Sequence, residues 1–160
     1  MTQKKAICPG SFDPPTDGHI NIIERGLRIF DAITVAVAIN RTKKTMFEPQ
    51  ERVAMLKELL KKHKNIQIDS FEGLLVDYCH QKKIHTILRG IRTVSDYEYE
   101  LQMSLANRIL KPDIETLFMM TEGKFSHISS SIIKEVISFG GSGAGMIHPF
   151  VEERLKKKLM

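Results

Sequence analysis

The chain has 160 residues, of which 42% are hydrophobic and 27% charged, as is typical of a globular protein with one core. Its longest apolar run, Ala32 to Ile39, is far shorter than the roughly 20 residues that span a bilayer, which argues against a membrane-spanning helix. A net charge of +5 is compatible with nucleic-acid binding, an acidic small substrate or no functional role, and composition alone favours the last. The two cysteines suggest no disulfide framework, so we expect a reducing cytoplasm.

Apolar periodicity in the first half of the chain alternates between short strand patterns and longer helical patterns. It predicts strands over Ala6–Cys8 and Ala32–Ile39, and helices over His19–Phe30 and from Pro49 onward. The second strand is a near-continuous apolar run, which favours a position in a parallel sheet covered on both faces. No signal peptide is indicated, because polar residues lead directly into the first strand.

The second half continues the same alternation. Strands are predicted over Ile66–Ile68, Thr86–Leu88 and Thr116–Met119, and helices over Leu74–Gln81, over Asp96–Leu110, from near Ser129 and from Pro149. Strands and helices that alternate along a chain predict an α/β fold, here one doubly wound Rossmann-like domain over residues 1–160 with a five-stranded parallel sheet. Such sheets bind ligands beyond the carboxyl ends of their strands.

The segment Gly10–His19 connects the first predicted strand to the first predicted helix. A glycine-bracketed loop that ends in a histidine at a helix start is suited to holding phosphate. The first helical turn has free backbone N–H groups and a partial positive charge. The His19 side chain adds a hydrogen-bond donor, and Ser11 adds a hydroxyl. Chemistry on a phosphate is therefore the leading hypothesis.

Three further connections place phosphate-binding residue types at the same edge of the sheet. They are Arg41, Lys43 and Lys44 after the second strand, Arg89–Arg92 at the end of the fourth, and Ser126–Ser131 after the fifth. Taken singly, the serines can be a helix cap and the lysines a solvated loop. The arginines are harder to explain in this way, because arginine at a buried strand end needs an anionic partner. Together these residues predict an anion-binding site.

Other kinds of site find less support. The chain has no GxxxxGK[ST] phosphate loop, and Gly140–Gly145 follows a helix, which predicts a plain loop. The histidines and cysteines lack metal-ligand spacing, since His80 and His85 fall on either side of a helix-to-strand change. We interpret Cys8 as a small buried thiol and Lys156–Lys158 as a solvated helix end.

Several motifs together resemble one enzyme family. They are Pro9–Pro14, Thr16–His19, Lys43–Phe47, Arg89–Arg92, Tyr97–Glu100 and Ile128–Ser131, in that order along most of the chain. TxGH alone marks the nucleotidyltransferase superfamily, whereas its combination with RGIR, YEYE and ISSS is similar to the bacterial phosphopantetheine adenylyltransferases. Ser11 departs from the threonine of many members but keeps the hydroxyl, and Cys8 stands where tyrosine is common.

The resemblance implies reversible transfer of an adenylyl group from ATP to 4′-phosphopantetheine, giving dephospho-coenzyme A and pyrophosphate. It implies catalytic roles for His19 and Lys43. It implies that the acceptor is bound by Ser11, Lys43, Leu75 and Arg89. It implies that ATP is bound by Ser11, Phe12, His19, Gly90, Ile91, Arg92, Glu100, Phe125, Ser126, His127, Ile128, Ser129, Ser130 and Ser131.

The resemblance also carries expectations about partners. It implies Mg²⁺ bound mainly through the ATP phosphates, with no metal ligand from the protein. It further implies a homohexamer, binding of coenzyme A or dephospho-coenzyme A, and no nucleic-acid or membrane partner. Two alternatives stay open at this point: a related nucleotidyltransferase acting on glycerol phosphate or nicotinamide mononucleotide, and a noncatalytic nucleotide- or RNA-binding domain.

Overall fold

The structure, a computed structural model, describes residues 2–160 and contains one five-stranded parallel sheet. Its strands are β1 (Lys5–Gly10), β2 (Ala32–Ile39), β3 (Ile66–Glu72), β4 (Thr86–Ile91) and β5 (Glu115–Met120), in the order β3-β2-β1-β4-β5. All neighbouring pairs are parallel. This topology confirms the predicted doubly wound α/β fold. Four strands are longer than predicted, and β4 in particular includes Arg89 and Gly90.

Six α-helices follow the strands. They are α1 (Asp17–Gly26), α2 (Pro49–Leu60), α3 (Leu75–Lys82), α4 (Val94–Leu110), α5 (Ser130–Ser138) and α6 (Pro149–Leu159), with a short 3₁₀ turn at Gly123–Phe125. Proline opens α2 and α6, where its missing N–H would have no intrahelical partner. Within residues 2–160, none of these helices has the length and apolar character required to cross a membrane.

Helix α1 differs from the prediction at both ends. It begins at Asp17 because the Thr16 side chain caps it, and it ends at Gly26 instead of Phe30. The absence of a side chain at Gly26 allows close packing on the sheet, since a Cβ there would lie 2.7 Å from side-chain atoms of Ile33 and Leu88. The residues after Gly26 form a turn, and Phe30 still enters the core.

The core fills both faces of the sheet, as the alternation of side chains along each strand requires. On one face, Ala6 and Cys8 of β1 pack with Ile23 of α1 and Leu56 of α2. On the other face, Ile7 packs with residues of α3 such as Val76 and Cys79. Residues Ile33 to Val37 of β2 are all buried, which confirms the interpretation of that run.

A third apolar cluster joins the last two helices to α2. It contains Phe47, Met55, Ile128, Ile133, Ile137, Ile147, Val151 and Leu155. The loop between α5 and α6 includes Gly140–Gly145, as predicted. This cluster fixes the start of α5, with Ile128 buried immediately before it.

The strand order places β1 beside β4, although β2 follows β1 in the chain. The connections therefore leave the carboxyl ends of β1 and β4 in different directions, and a crevice opens between them. In open α/β sheets this switch point is where ligands bind. The ends of these two strands are Gly10 and Ile91.

Helix α4 is the exception to the burial of apolar residues. None of its 17 residues is buried. Leu105 is 53% exposed and Ile109 is 82% exposed. Within residues 2–160, these apolar side chains of α4 are therefore left largely uncovered.

Candidate active site

A cavity of about 410 Å³ occupies the switch point at the carboxyl ends of β1 and β4. Its walls come from the β1–α1 loop, the end of β4, the start of α5, and the loop that carries Lys43 and Lys44. Four separate segments therefore converge on one edge of the sheet, as the sequence predicted. The cavity is the candidate active site.

The β1–α1 loop forms the floor of this cavity. Phe12 has a left-handed backbone with φ of +51°, and its ring is buried. That ring meets the His19 imidazole edge-on, with 5.0 Å between the ring centroids. The unusual backbone turn at Phe12 thereby places an apolar wall against one side of the histidine.

The Thr16 cap orients the His19 ring. The Thr16 backbone N–H donates to His19 Nδ1 at 2.9 Å, and the His19 backbone N–H donates to Thr16 Oγ1. Since Nδ1 accepts a hydrogen bond, the neutral imidazole carries its proton on Nε2. Burial, with the positive charges of Arg92 and Arg89, lowers the His19 pKa from 6.5 to about 4. At neutral pH His19 is therefore an uncharged donor.

Arg89 reaches the cavity from β4 and is held by Glu100 of α4. Its Nε donates to a Glu100 carboxylate oxygen at 2.8 Å, its Nη2 pairs with the other oxygen, and its Nη1 donates to the Pro9 carbonyl. Burial alone would lower the pKa of Arg89, but the hydrogen bonds to Glu100 raise it above its usual value. The sequence predicted an anionic partner for this arginine. Within the chain that partner is Glu100.

Arg92 links three segments at the opposite wall. Its Nε donates to Asp96 at 3.0 Å, within the first turn of α4, and its Nη1 donates to the Ile128 carbonyl at 2.6 Å. Ile128 immediately precedes the serine run at the start of α5. Arg92 therefore fixes the position of that helix start relative to β4.

The start of α5 presents hydroxyls and backbone N–H groups to the cavity. Ser129 caps the helix by accepting from the Ile132 N–H at 3.1 Å, and Ser130 donates to the Pro14 carbonyl at 2.8 Å. Both hydroxyls thus have structural partners, which agrees with the helix-cap interpretation. Ser131 also lines the cavity. The cap and a role in anion binding are compatible, since backbone N–H groups at a helix start bind anions.

Asp13 holds the β2–α2 loop, residues 40–48, against the floor of the cavity, a role that sequence reasoning missed. This loop carries Lys43 and Lys44 and is called the lysine loop below. Its buried carboxylate accepts from the backbone N–H groups of Met46 and Phe47, each at 2.9 Å, and from Lys134 Nζ at 3.2 Å. An aspartate in a turn-like sequence gives no local sign of a partner more than 30 residues away. Its place in the motif Pro9–Pro14 was the only available signal.

Arg52 was also missed. It lies on α2 at only 2% exposure, and its guanidinium donates to the carbonyls of Phe47, Ser11 and Ala38. These carbonyls belong to the lysine loop, the β1–α1 loop and the end of β2. On a predicted amphipathic helix, this residue type indicated only a solvated position.

Two lysines that line the cavity have no acidic partner in the part of the chain that the structure describes and are available to bind an anion. Its lining contains five cationic and three acidic side chains. The acids pair with cations within the chain: Asp13 with Lys134, Asp96 with Arg92, and Glu100 with Arg89. Within residues 2–160, Lys43 and Lys44 form no ion pair, so their charge can serve a bound anion. Arg41 instead pairs with Glu72, outside the cavity.

A second chamber of about 260 Å³ adjoins the first. The two share Pro9, Gly10, Ser11, Arg89 and Glu100. The remaining walls of the second chamber are largely apolar and include Ala38, Phe71, Leu75, Ile87 and Met103. The arrangement can therefore accept a polyanion in the first chamber and a less polar, elongated group in the second.

Most predicted site residues lie in these chambers. The first chamber is lined by Ser11, Phe12, His19, Lys43, Arg89, Gly90, Arg92, Glu100, Ile128, Ser129, Ser130 and Ser131, and the second by Leu75. Four others line neither chamber: Ile91, Phe125, Ser126 and His127. Ile91 points into the core at 1% exposure. Phe125 is the last residue of the 3₁₀ turn, and Ser126 and His127 lie between that turn and α5.

Cys8 lies at the base of the first chamber and is buried. Burial raises the pKa of its thiol to about 11. The thiol is therefore protonated at neutral pH and is a poor nucleophile. This agrees with the interpretation of Cys8 as a small buried residue.

Sequence relatives match nearly the whole length of the chain. The cytidylyltransferase-like family matches residues 7–136. The chain is 50% identical over 157 residues to the phosphopantetheine adenylyltransferase of Desulfatibacillum aliphaticivorans, covering 98% of this chain and 90% of that protein. It is 51% identical over 158 residues to the enzyme of the same name from Geotalea daltonii, covering 99% and 98%.

A solved structure shows the same fold at low identity. The nicotinic acid mononucleotide adenylyltransferase of Plasmodium falciparum, complexed with NaAD, matches with a TM-score of 0.68 and 17% identity. The match covers 98% of this chain and 96% of that one. At such identity the likeness concerns the fold alone, whereas the relatives at about 50% identity define the family. The chain therefore belongs to the phosphopantetheine adenylyltransferase family of cytidylyltransferase-like proteins.

Proposed function

We propose that the protein catalyses reversible transfer of the adenylyl group of ATP to 4′-phosphopantetheine, giving dephospho-coenzyme A and pyrophosphate. Membership of the family supports this reaction. The observation that carries it is the pair of adjoining chambers, one cationic and one largely apolar, which meet at Ser11 and Arg89. An acceptor with a phosphate at one end and an elongated, uncharged arm fits this arrangement.

The reaction needs charge stabilisation more than proton transfer. A phosphate monoester has a second pKa of about 6 and is mostly dianionic at neutral pH, so it attacks without a general base. A bond forms between the acceptor oxygen and the α-phosphorus, and the bond from that phosphorus to the pyrophosphate oxygen breaks. Unit charges about 4 Å apart repel by about 4 kcal/mol at an effective dielectric of 20. Lys43, Lys44 and the start of α5 reduce that repulsion.

His19 has a separate task in this scheme. His19 lines the cavity, and its neutral ring carries the proton on Nε2 because Nδ1 accepts from the Thr16 N–H. It is placed to donate to an α-phosphate oxygen as charge develops there. A donor whose hydrogen bond strengthens in the transition state lowers the barrier without tightening ground-state binding.

The residues that line the cavity are compatible with a magnesium ion that is bound through the phosphates of ATP. Each carboxylate in the lining already accepts hydrogen bonds from a cationic side chain, so none is free to form a protein cage for the ion. Mg²⁺ usually retains several waters and binds nucleotide phosphates. When bound in this way it supplies further neutralisation of the triphosphate, and no residue of this chain needs to coordinate it.

The direct test pairs candidate acceptors with candidate nucleotides and measures pyrophosphate release. We expect release with ATP, Mg²⁺ and 4′-phosphopantetheine, and little with CTP. Glycerol phosphate and nicotinamide mononucleotide test the related transferases. Preference for either of them would assign the chain another acceptor. RNA binding with steep salt dependence and no adenylyl transfer would favour a noncatalytic role.

Replacing Lys43 by alanine should impair catalysis without unfolding the protein. We expect kcat/KM to fall at least about 10-fold, because one charge that stabilises the reacting phosphates is lost. Lys43 is exposed, so the melting temperature should not change. Lys64→Ala, an exposed lysine outside the cavity, is the matched control. Unchanged steady-state kinetics in Lys43→Ala would remove Lys43 from the site.

We also propose that the chain forms a homohexamer, as the family resemblance implies. The uncovered apolar side chains of α4 and the exposed Met120 of the edge strand β5 support an oligomeric contact on this face. Large exposed apolar patches commonly mark protein interfaces. The number of subunits rests on the resemblance.

Charge on this face should break the assembly. We expect Leu105→Glu with Ile109→Glu to lower the mass measured by light scattering from about six times 18.3 kDa to that of a smaller species. Phe139→Glu is the control, because Phe139 is 84% exposed and lies at the end of α5, away from α4 in the chain. A wild-type chain that is monomeric at micromolar concentration would contradict the proposal.

Two further proposals concern product and compartment. Dephospho-coenzyme A spans both chambers once formed, and coenzyme A shares its pantetheine arm, so either should compete with the substrates. Cytoplasmic location is supported by the two buried cysteines, Cys8 and Cys79, which are both free thiols. We expect no membrane or nucleic-acid partner.

A further inference from the structure

The structure brings two histidines and an aspartate together at the opposite edge of the sheet from the active site. His80 lies in the last turn of α3, His85 directly precedes β4, and Asp113 precedes β5. The active-site cavity lies at the other ends of these strands, roughly 17 Å away along β4. Among residues 2–160, this is the only group of three potential metal ligands within reach of one another.

The three side chains already converge on one point. His80 Nε2 lies 3.0 Å from one Asp113 carboxylate oxygen, and His85 Nδ1 lies 2.6 Å from the other. The two imidazole rings are 5.5 Å apart between centroids. One carboxylate thus joins two imidazoles, whereas the surface pair of His63 with Glu24 has one imidazole only.

The backbone supports this arrangement independently of the side chains. Lys83 adopts a left-handed conformation with φ of +56°, and its N–H closes the end of α3. This turn reverses the chain between the two histidines, which a reading of the spacing alone did not anticipate. The Glu115 N–H donates to the His85 carbonyl at 2.9 Å, which fastens the segment of Asp113 to that of His85.

We propose that His80, His85 and Asp113 form a surface site for a divalent transition-metal ion of the zinc type. The candidate ligand atoms all lie within 4.8 Å of one another. Ligands about 2.0–2.1 Å from tetrahedral zinc are roughly 3.4 Å apart, so small side-chain rotations suffice. The side chains can make them because they are 36%, 50% and 51% exposed, in the order His80, His85 and Asp113.

The donor set selects the class of metal. Two imidazole nitrogens and one carboxylate oxygen suit Zn²⁺, Co²⁺, Ni²⁺ or Cu²⁺, whereas Mg²⁺ prefers oxygen ligands and water. Two of the nearby lysines have acidic partners of their own, since Lys82 pairs with Asp69 and Lys111 with Asp77. The ion would tie the end of α3 to the starts of β4 and β5, and so stabilise the folded state.

The test is calorimetric titration of the untagged, chelator-treated full chain with Zn²⁺. We expect one zinc ion per chain, with the affinity lowered at least about 10-fold in His80→Asn and in His85→Asn. His63→Asn should bind zinc as the wild type does. Zinc should also raise the melting temperature of the wild type by about 5 °C, and that of the double variant by much less.

Two results would overturn the proposal: zinc binding that survives both substitutions, or no binding by the folded wild type. The variants should fold, because the replaced side chains are exposed. If the double variant loses its native circular dichroism, Asp113→Asn replaces it in the same titration. Co²⁺ provides a second readout, since its visible absorption should appear in the wild type and in His63→Asn, and disappear in the double variant.

Discussion

Replacing His19 by alanine is expected to lower kcat about 10²- to 10³-fold, with little change in the Kd for ATP. This is the size of loss seen when one preorganised donor to a developing oxyanion is removed. Ground-state affinity should persist because Arg92 and the start of α5, to which we assign ATP binding, still line the cavity. Pre-steady-state turnover and equilibrium binding of ATP, measured on the same preparation, separate the two effects.

The proposed role also predicts the pH dependence. The His19 pKa is lowered to about 4 by burial and by the positive charges of Arg92 and Arg89. His19 therefore remains neutral at every pH above about 5. The pH profile of kcat for the wild type should accordingly show no inflection near pH 6.5 that is due to His19. Such an inflection would identify His19 as a general acid or base instead.

The size of the loss is interpretable only with matched controls. His63→Ala removes a histidine outside the cavity and should leave kcat unchanged. His19→Gln retains an N–H donor on a side chain of similar reach and should keep more activity than His19→Ala. Equal losses of kcat and ATP affinity in His19→Ala would make His19 a ground-state binder and contradict the assigned role.

The sequence was sufficient for the fold class, although not for the strand order, because local patterns and chain order constrain the class strongly. Short β-branched runs alternating with helical patterns leave few options besides a parallel sheet with crossover helices. The apolar run of β2 indicated burial on both faces, and its core residues are buried. The end of α1 was misplaced because periodicity continues to Phe30, although the helix itself ends at Gly26.

Residues of the candidate site were predictable where the residue type and its place in the predicted element together indicated a function. Arginine at a strand end and histidine at a helix start carry such signals, and Arg89 and His19 both line the cavity. Asp13 and Arg52 carried none, because their partners are backbone groups of distant segments. Tertiary hydrogen bonds of this kind have no local pattern in sequence.

Helix α4 shows what apolar periodicity does not predict about a helix. Its apolar residues recur at the spacing that marks a core-facing helix, but none of them is buried within residues 2–160. Periodicity reports that a face requires burial and does not report what covers it. A helix at a subunit interface and a helix that faces the core therefore have the same apolar periodicity, and sequence alone does not distinguish them.

The largest expected stability loss comes from Arg52→Met. The guanidinium donates to the carbonyls of Phe47, Ser11 and Ala38 from a position with 2% exposure. Methionine fills much of the volume but leaves these acceptors without their donor. Buried acceptors left unpaired cost about 1–3 kcal/mol each, partly recovered by water. We expect a loss of about 3 kcal/mol, which lowers the melting temperature by roughly 6–12 °C.

Arg28→Met is the matched control, because Arg28 is exposed and should change stability by less than about 0.5 kcal/mol. Arg52→Lys keeps the charge but lacks the planar fork that reaches three carbonyls, so its stability should lie between those of the wild type and Arg52→Met. The two loops joined by Arg52 carry Ser11 and the lysines, so activity measured well below the melting temperature should also fall. An Arg52→Met protein as stable as the wild type would show that the carbonyls find other donors, and that Asp13 alone holds the lysine loop in place.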